Sequence, residues 1–176
     1  MGGYSTLNDF RHIPRKRFGQ HWLKDQDVLN QIVKAAELNP EDCVLEVGPG
    51  KGALTEKLIE SQARFIQAIE LDRDLVIGLK KRFSHQNKFS LREGDILSAP
   101  LDAENELTIN KVVANIPYNI TGPLLKRLIG ELSKSPEYRF HTLVLLMQKE
   151  VAQRLVALPG TSSFSALSVR LSLIHI

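Results

Sequence analysis

Cys43-Val44-Leu45-Glu46-Val47-Gly48-Pro49-Gly50-Lys51-Gly52 joins a short apolar run to a glycine-rich turn, and a helix-like segment with Leu54, Leu58 and Ile59 on one face follows. Strand, turn and helix in that order make one unit of an alternating α/β fold. The unit recurs. Phe65-Ile66-Gln67-Ala68-Ile69 reads as a second strand, and Leu75, Val76, Leu79 and Phe83 mark a helix begun by Asp72 or Asp74. A third strand is expected near residues 89–91.

Upstream, Val28, Leu29, Ile32, Val33 and Ala36 fall at helical spacing between Asp25 or Asp27 and Asn39-Pro40. Downstream, Val112-Val113-Ala114 is a short strand ending at Asn115, and Pro123 suits the first turn of a helix carrying Leu124, Leu125, Leu128, Ile129 and Leu132. Residues 142–147 form a nearly all-apolar run, as expected of a strand covered on both faces. A short helix over residues 150–158 then stops at Pro159-Gly160. Strands alternating with helices imply a mostly parallel sheet flanked by helices, with ligands at the carboxyl ends of the strands. Gly48, Glu70, Asp95 and Asn115 each follow a strand and are expected to line one edge.

With 176 residues, 43% of them hydrophobic, the chain is long enough for one domain with a real core. No apolar run approaches the ~20 residues that span a bilayer, and residues 1–6 lack the apolar centre of a secretory signal. A soluble, cytoplasmic protein is expected. Cys43 is the only cysteine, so no internal disulfide forms, and the five histidines have no ligand spacing, so no metal site is expected. The net charge of +3 says little, but its distribution says more. Arg11, Arg15, Lys16, Arg17 and Lys24 crowd a segment that also holds Phe18 and Trp22. This is either a solvated tail or an arm that contacts phosphates.

Gly48, Gly50 and Gly52 let the backbone turn tightly and approach a ligand closely. Read as Gly-x-Gly-x-x-Ala through Ala53, the turn also suits a dinucleotide pyrophosphate. Glu46 leans against that, because a carboxylate repels a pyrophosphate and favours the positive sulfonium and amino groups of S-adenosylmethionine. Glu70 stands where an acid accepts hydrogen bonds from ribose hydroxyls, which NAD would use equally. Asp95, in Gly94-Asp95-Ile96-Leu97, is either an acceptor for the cofactor's adenine amine or a turn aspartate.

Asn115-Ile116-Pro117-Tyr118 separates the readings. The lone pair of an adenine amine is delocalised into the ring and attacks poorly. Two acceptors, the Asn115 side-chain oxygen and the Ile116 carbonyl, would draw that amine toward tetrahedral geometry. Pro117 stiffens the loop, and Tyr118 offers a face for base stacking, typically worth ~1–3 kcal/mol. An ordinary Asn-Pro turn ending a strand is the alternative for these residues considered alone.

Six stretches follow in order: Arg17 to Leu23, Glu46 to Thr55, Ile69 to Asp72, Gly94 to Leu97, Asn115 to Thr121, and Met147 to Ala152. In sequence and spacing they resemble the ribosomal small-subunit RNA adenine dimethyltransferases over about residues 15–170. The resemblance implies a Rossmann-like S-adenosylmethionine-dependent methyltransferase fold. It also implies methylation of N6 on two adjacent adenosines in a hairpin near the 3′ end of 16S rRNA, on the immature 30S subunit. Carried over with it are His21, Leu23, Gly48, Glu70, Asp95 and Asn115 for the cofactor, and Tyr118 for stacking the target base. His21-Trp22 departs from the Asn-Phe that is commoner in the family, and a protonatable His21 would make cofactor binding depend on pH. The resemblance divides the chain into a basic arm and cofactor lid at residues 1–24 and a methyltransferase domain at 25–170.

Family members continue into two further strands and a small helical domain, so the resemblance implies a poorly soluble fragment, weakly active or inactive by itself, of a protein monomeric at full length, with the normally internal 142–147 strand left as an unpaired apolar edge. Leu171-Ser172-Leu173-Ile174-His175-Ile176 also fits a back-translation, CTG-TCT-CTT-ATA-CAC-ATC, that resembles a transposon end used in preparing DNA libraries, and is read as a non-native tail. Two other functions compete: a ribosome-assembly factor that binds RNA without catalysis, and an NAD-dependent oxidoreductase. Within methyltransferases, a large-subunit rRNA or a DNA adenine remains an alternative target.

Overall fold

Five strands among the described residues, β1 (Cys43–Val47), β2 (Phe65–Glu70), β3 (Phe89–Glu93), β4 (Lys111–Asn115) and β5 (Thr142–Leu146), pair in the order β3-β2-β1-β4-β5. Every pairing is parallel. The computed structural model describes residues 23–103, 107–130, 137–138, 140–164 and 168. His21, most of the basic arm and residues 171–176 lie outside them.

The apolar runs of β1, β2 and β4 are buried almost throughout because helices cover both faces. On one face, Val44, Ile66 and Val113 pack with Leu29 and Ile32 of α1 (Gln26–Ala35) and with Leu54 and Leu58 of α2 (Ala53–Glu60). Ala68 and Leu91 extend that face under Val76 and Leu79 of α3 (Arg73–Arg82). On the other, Leu45 and Val47 meet Leu124 and Leu128 of α4 (Thr121–Ile129).

Asp25 caps α1 by accepting from the amides of Asp27 and Val28, and Asp72 caps α3 through Asp74. The first residue of each sequence alternative is thus the cap. The helix α5 (Lys149–Leu155) starts one residue earlier and ends three earlier than the expected 150–158. All five residues of β5 are only half-buried, as the expected edge position entails. It is an edge of the five described strands, paired with β4 alone, so the apolar pattern of a central strand occurs on a strand with one neighbour.

A polar clamp closes the amino ends of the strands. Lys111 Nζ donates to the carbonyls of Ala36 and Glu37, both at 2.9 Å, and pairs with Asp42 Oδ2 at 3.0 Å. The ammonium satisfies two orphan carbonyls at the end of α1. Asn110 bridges Asp42 to the amide of Cys43. Burial would raise the Asp42 carboxyl, but the Asn39 amide, Lys111 and Asn110 together hold it below its usual value. No helix among the described residues is long and apolar enough to cross a membrane.

Candidate cofactor and acceptor site

Chain direction across the sheet reverses between β1 and β4: β2 and β3 lie to one side of β1, β4 and β5 to the other. In open parallel sheets that switch leaves a crevice beyond the carboxyl ends of the strands. Val47 pairs with both Ile69 and Ala114, so the chain leaves β1 at Gly48 beside Glu70 and Asn115, the last residues of β2 and β4.

The turn itself is built from left-handed residues. Gly48, Gly50 and Gly52 have φ of 62°, 60° and 83°, values that glycine adopts without steric cost. The Gly48 amide donates to the Ile69 carbonyl at 2.9 Å, and the Gly50 amide to Glu70 Oε2 at 3.0 Å. A Cβ on Gly48 would stand 3.8 Å from Pro117 Cγ, which brings the glycine turn within van der Waals reach of the Asn115-Ile116-Pro117 segment.

Together these residues wall a cavity of about 320 Å³, at the small end of the range for ligand pockets. Leu23, Gly48, Gly50, Glu70, Asp95, Asn115, Ile116 and Pro117 all line it. Of the positions singled out in the sequence, Tyr118 is outside the wall and 45% exposed, in the short 3-10 turn Tyr118–Ile120, and His21 lies outside the described residues. Asp95 lines the cavity, and its Oδ1 accepts the Leu97 amide at 2.9 Å, as a turn aspartate does.

Two carboxyl groups dominate the electrostatics. Glu70 is buried, which raises its pKa, while the amides of Asp72, Gly50 and Leu71 oppose the rise by hydrogen-bonding the ionised form. Glu46 is 1% exposed, on the α1 and α2 face of β1. Burial pushes its pKa up to about 8; the Thr55 hydroxyl, donating to Oε2 at 2.8 Å, opposes that, and the negative charge of Glu70 adds to it. Glu46 Oε1 is buried without a hydrogen-bond partner among the described residues. An orphaned carboxyl oxygen in the wall of a cavity suits a ligand that brings a cation or a donor, as the amino-acid end of S-adenosylmethionine does.

Sequence reasoning missed the support behind this wall. Arg127, on α4, donates to the Ile96 carbonyl and to the Ala99 carbonyl at 2.6 Å, and Arg92 donates to the Pro100 carbonyl. The loop carrying Asp95 is therefore held from two sides. Arg127 is 31 residues from Ile96 and Thr55 is nine from Glu46, and no local pattern signals either contact.

This strand order, with a glycine turn at the switch and an acid at the tip of the adjoining strand, is a Rossmann-like arrangement, and the solved structures that share it here are methyltransferases. A dimethyladenosine transferase from Plasmodium falciparum superposes with a TM-score of 0.75 at 34% identity, over 87% of this chain and 52% of that one. The 23S rRNA methyltransferase ErmE gives 0.64 at 29% identity, over 76% and 50%. A family model for ribosomal RNA adenine dimethylases matches residues 11–175, and the chain belongs to that family. Ribosomal RNA small subunit methyltransferase A of Prochlorococcus marinus (strain NATL2A) is 90% identical over 174 residues. Its counterpart in Synechococcus sp. (strain CC9902) is 65% identical over 163. The chain covers 99% and 93% of itself in these matches but spans only 60% of the length of either relative.

Proposed function

We propose that the chain carries the methyl-transfer domain of an enzyme that methylates N6 of two adjacent adenosines in the 3′-terminal hairpin of 16S rRNA. It would act on the immature 30S subunit, in the cytoplasm, during small-subunit biogenesis. The observation that carries this reading is the shared wall: the glycine turn with Glu70 and the Asn115-Ile116-Pro117 segment face one cavity at the sheet's switch point. The choice of the small subunit rests on the names of the two cyanobacterial relatives.

S-adenosylmethionine supplies an electrophilic methyl group when bound. Gly48 and Gly50 would hold it by close backbone approach, Glu70 by its carboxylate, Asp95 by its side chain, and Leu23 by apolar cover. His21 would join them by the family resemblance. Asn115 and Ile116 would accept hydrogen bonds from the adenine amine and aim its lone pair. Ile116 is fixed for this task, since its amide donates to the Leu146 carbonyl at 2.9 Å, leaving its own carbonyl as the acceptor at issue. Pro117 carries the chain at φ −59° into the 3-10 turn, which leaves the Tyr118 ring exposed for a base. Positioning and fixed dipoles, with no general base, account for the acceleration. The unpartnered Glu46 oxygen favours a ligand end that brings a donor or a cation, which a pyrophosphate does not, and this counts against the NAD reading.

Mass spectrometry of 16S rRNA after incubation of immature 30S particles with S-adenosylmethionine and a protein carrying this domain at the full length of its relatives tests the proposal. Dimethyladenosine in the 3′ hairpin is expected, and Asn115→Ala should abolish it while particle binding persists. Unmodified RNA with the parent protein would favour the assembly-factor reading.

A further inference from the structure

We propose that the cationic end of the cofactor is received by Glu46, which gives up its carboxyl proton as the ligand enters, so that filling this cavity releases a proton. The inference rests on the cofactor reading above and adds the protonation state of its receptor.

The geometry comes first. Glu46 lies in the cavity wall, wholly buried, with Oε2 held by Thr55 at 2.8 Å and Oε1 without a partner. A carboxylate in that position lacks the second donor that a buried charge needs. Among the described residues, burial, the Thr55 hydroxyl and the charge of Glu70 are the influences on it, and no cation is among them. On β2 the nearest titratable neighbour is Glu70, itself negative when ionised, and Asp95 lines the same cavity. Lys111 on β4 shares the face but spends its ammonium on Asp42, Ala36 and Glu37 at the far end of the strands. On α1 the charged residues Asp27 and Lys34 are exposed, and α2 presents Thr55. β5 turns apolar Val144 and Leu146 to this face. Lys51 lines the cavity from the turn.

The resting group is accordingly a neutral carboxylic acid, in keeping with a pKa raised to about 8. A ligand ammonium, directly or through one ordered water, provides the missing partner and stabilises the ionised form. The O–H bond of the acid breaks, its proton goes to solvent, and the ligand's own covalent bonds are unchanged. Binding linked to release of one proton tightens by up to about tenfold per pH unit below the resting pKa and levels off above it.

Titration calorimetry with S-adenosylhomocysteine, in buffers of different ionisation enthalpy near pH 7, reads the linkage directly. The expected result is release of about one proton per site by the parent protein and none by Glu46→Gln. Binding without release overturns the inference and leaves the cofactor site standing. Release that persists in Glu46→Gln also overturns it, by assigning the proton to another group. No binding by the parent protein overturns the cofactor reading, and this inference with it. Should Glu46→Gln fail to fold or bind, Thr55→Val decides. Loss of the hydroxyl that favours the ionised form should move the levelling of affinity to higher pH, and an unchanged profile would refute the role of Glu46.

Discussion

The backbone amide of Gly50 donates to Glu70 Oε2 at 3.0 Å, while Glu70 Oε1 accepts from the amide of Asp72 at 2.9 Å. One carboxyl group thus ties the glycine turn to the tip of β2 and helps set the start of α3. Its position in the cavity wall makes the anchor of the turn and the expected ribose acceptor the same residue.

Replacing that carboxyl should therefore weaken cofactor binding more than it weakens the fold. Loss of a hydrogen bond to a charged group costs about 1.5–3 kcal/mol, so Glu70→Gln is expected to reduce affinity for S-adenosylhomocysteine roughly 10- to 100-fold. Calorimetric titration measures it, and undiminished affinity would remove Glu70 from the site.

Gly52 and Gly78 should respond oppositely to alanine. A Cβ on Gly52 would lie 2.8 Å from Leu79 Cδ2 and from Phe83 Cε2, at a φ of 83°, so Gly52→Ala should cost about 1–3 kcal/mol. Gly78, within α3, has nothing within 4 Å, and Gly78→Ala should stabilise by about 0.5–1 kcal/mol. Urea unfolding of both variants reads the two signs.

Lys111 and Asp42 are a buried pair at 3.0 Å, remote from the cavity. Lys111→Met leaves the Asp42 carboxylate without its cation and is expected to destabilise the fold by roughly 3–5 kcal/mol. Cofactor affinity measured well below the lowered melting temperature should be unchanged.

Glu46 gives the ligand-free protein a stability that falls as pH rises. The folded state holds its proton up to about pH 8, whereas the unfolded chain releases it near the ordinary glutamate value of 4.5. Between those values the folded state binds more protons, so unfolding becomes progressively easier with rising pH and the trend flattens above pH 8. Glu46→Gln should remove this slope, leaving the variant more stable than its parent at pH 8 and the two alike near pH 4.5. Melting temperatures across that range, without ligand, would show parallel curves if Glu46 were not the source.

Much of this arrangement was legible in the chain because parallel-sheet strands read as apolar runs and the turn residues carry their own conformational signature. The positions of Gly48, Glu70 and Asn115 at one edge followed from strand ends alone, and the register of β1 with β2 and β4 places them together. What local pattern does not encode is contact between distant segments. Arg127 grips the Asp95 loop from α4, and Thr55 holds Glu46 from α2, because packing brings them there. The apolar run of β5 shows that the strand is built to be covered, but by itself not how many neighbours cover it.

The most direct measurement is a crystal structure of the protein with S-adenosylhomocysteine. The ligand should lie in the cavity between Gly48 and Glu70 with its sulfur toward Asn115, whose side-chain oxygen faces the opening for the target base. A ligand bound elsewhere, or an Asn115 side chain turned away from that sulfur, would contradict the account.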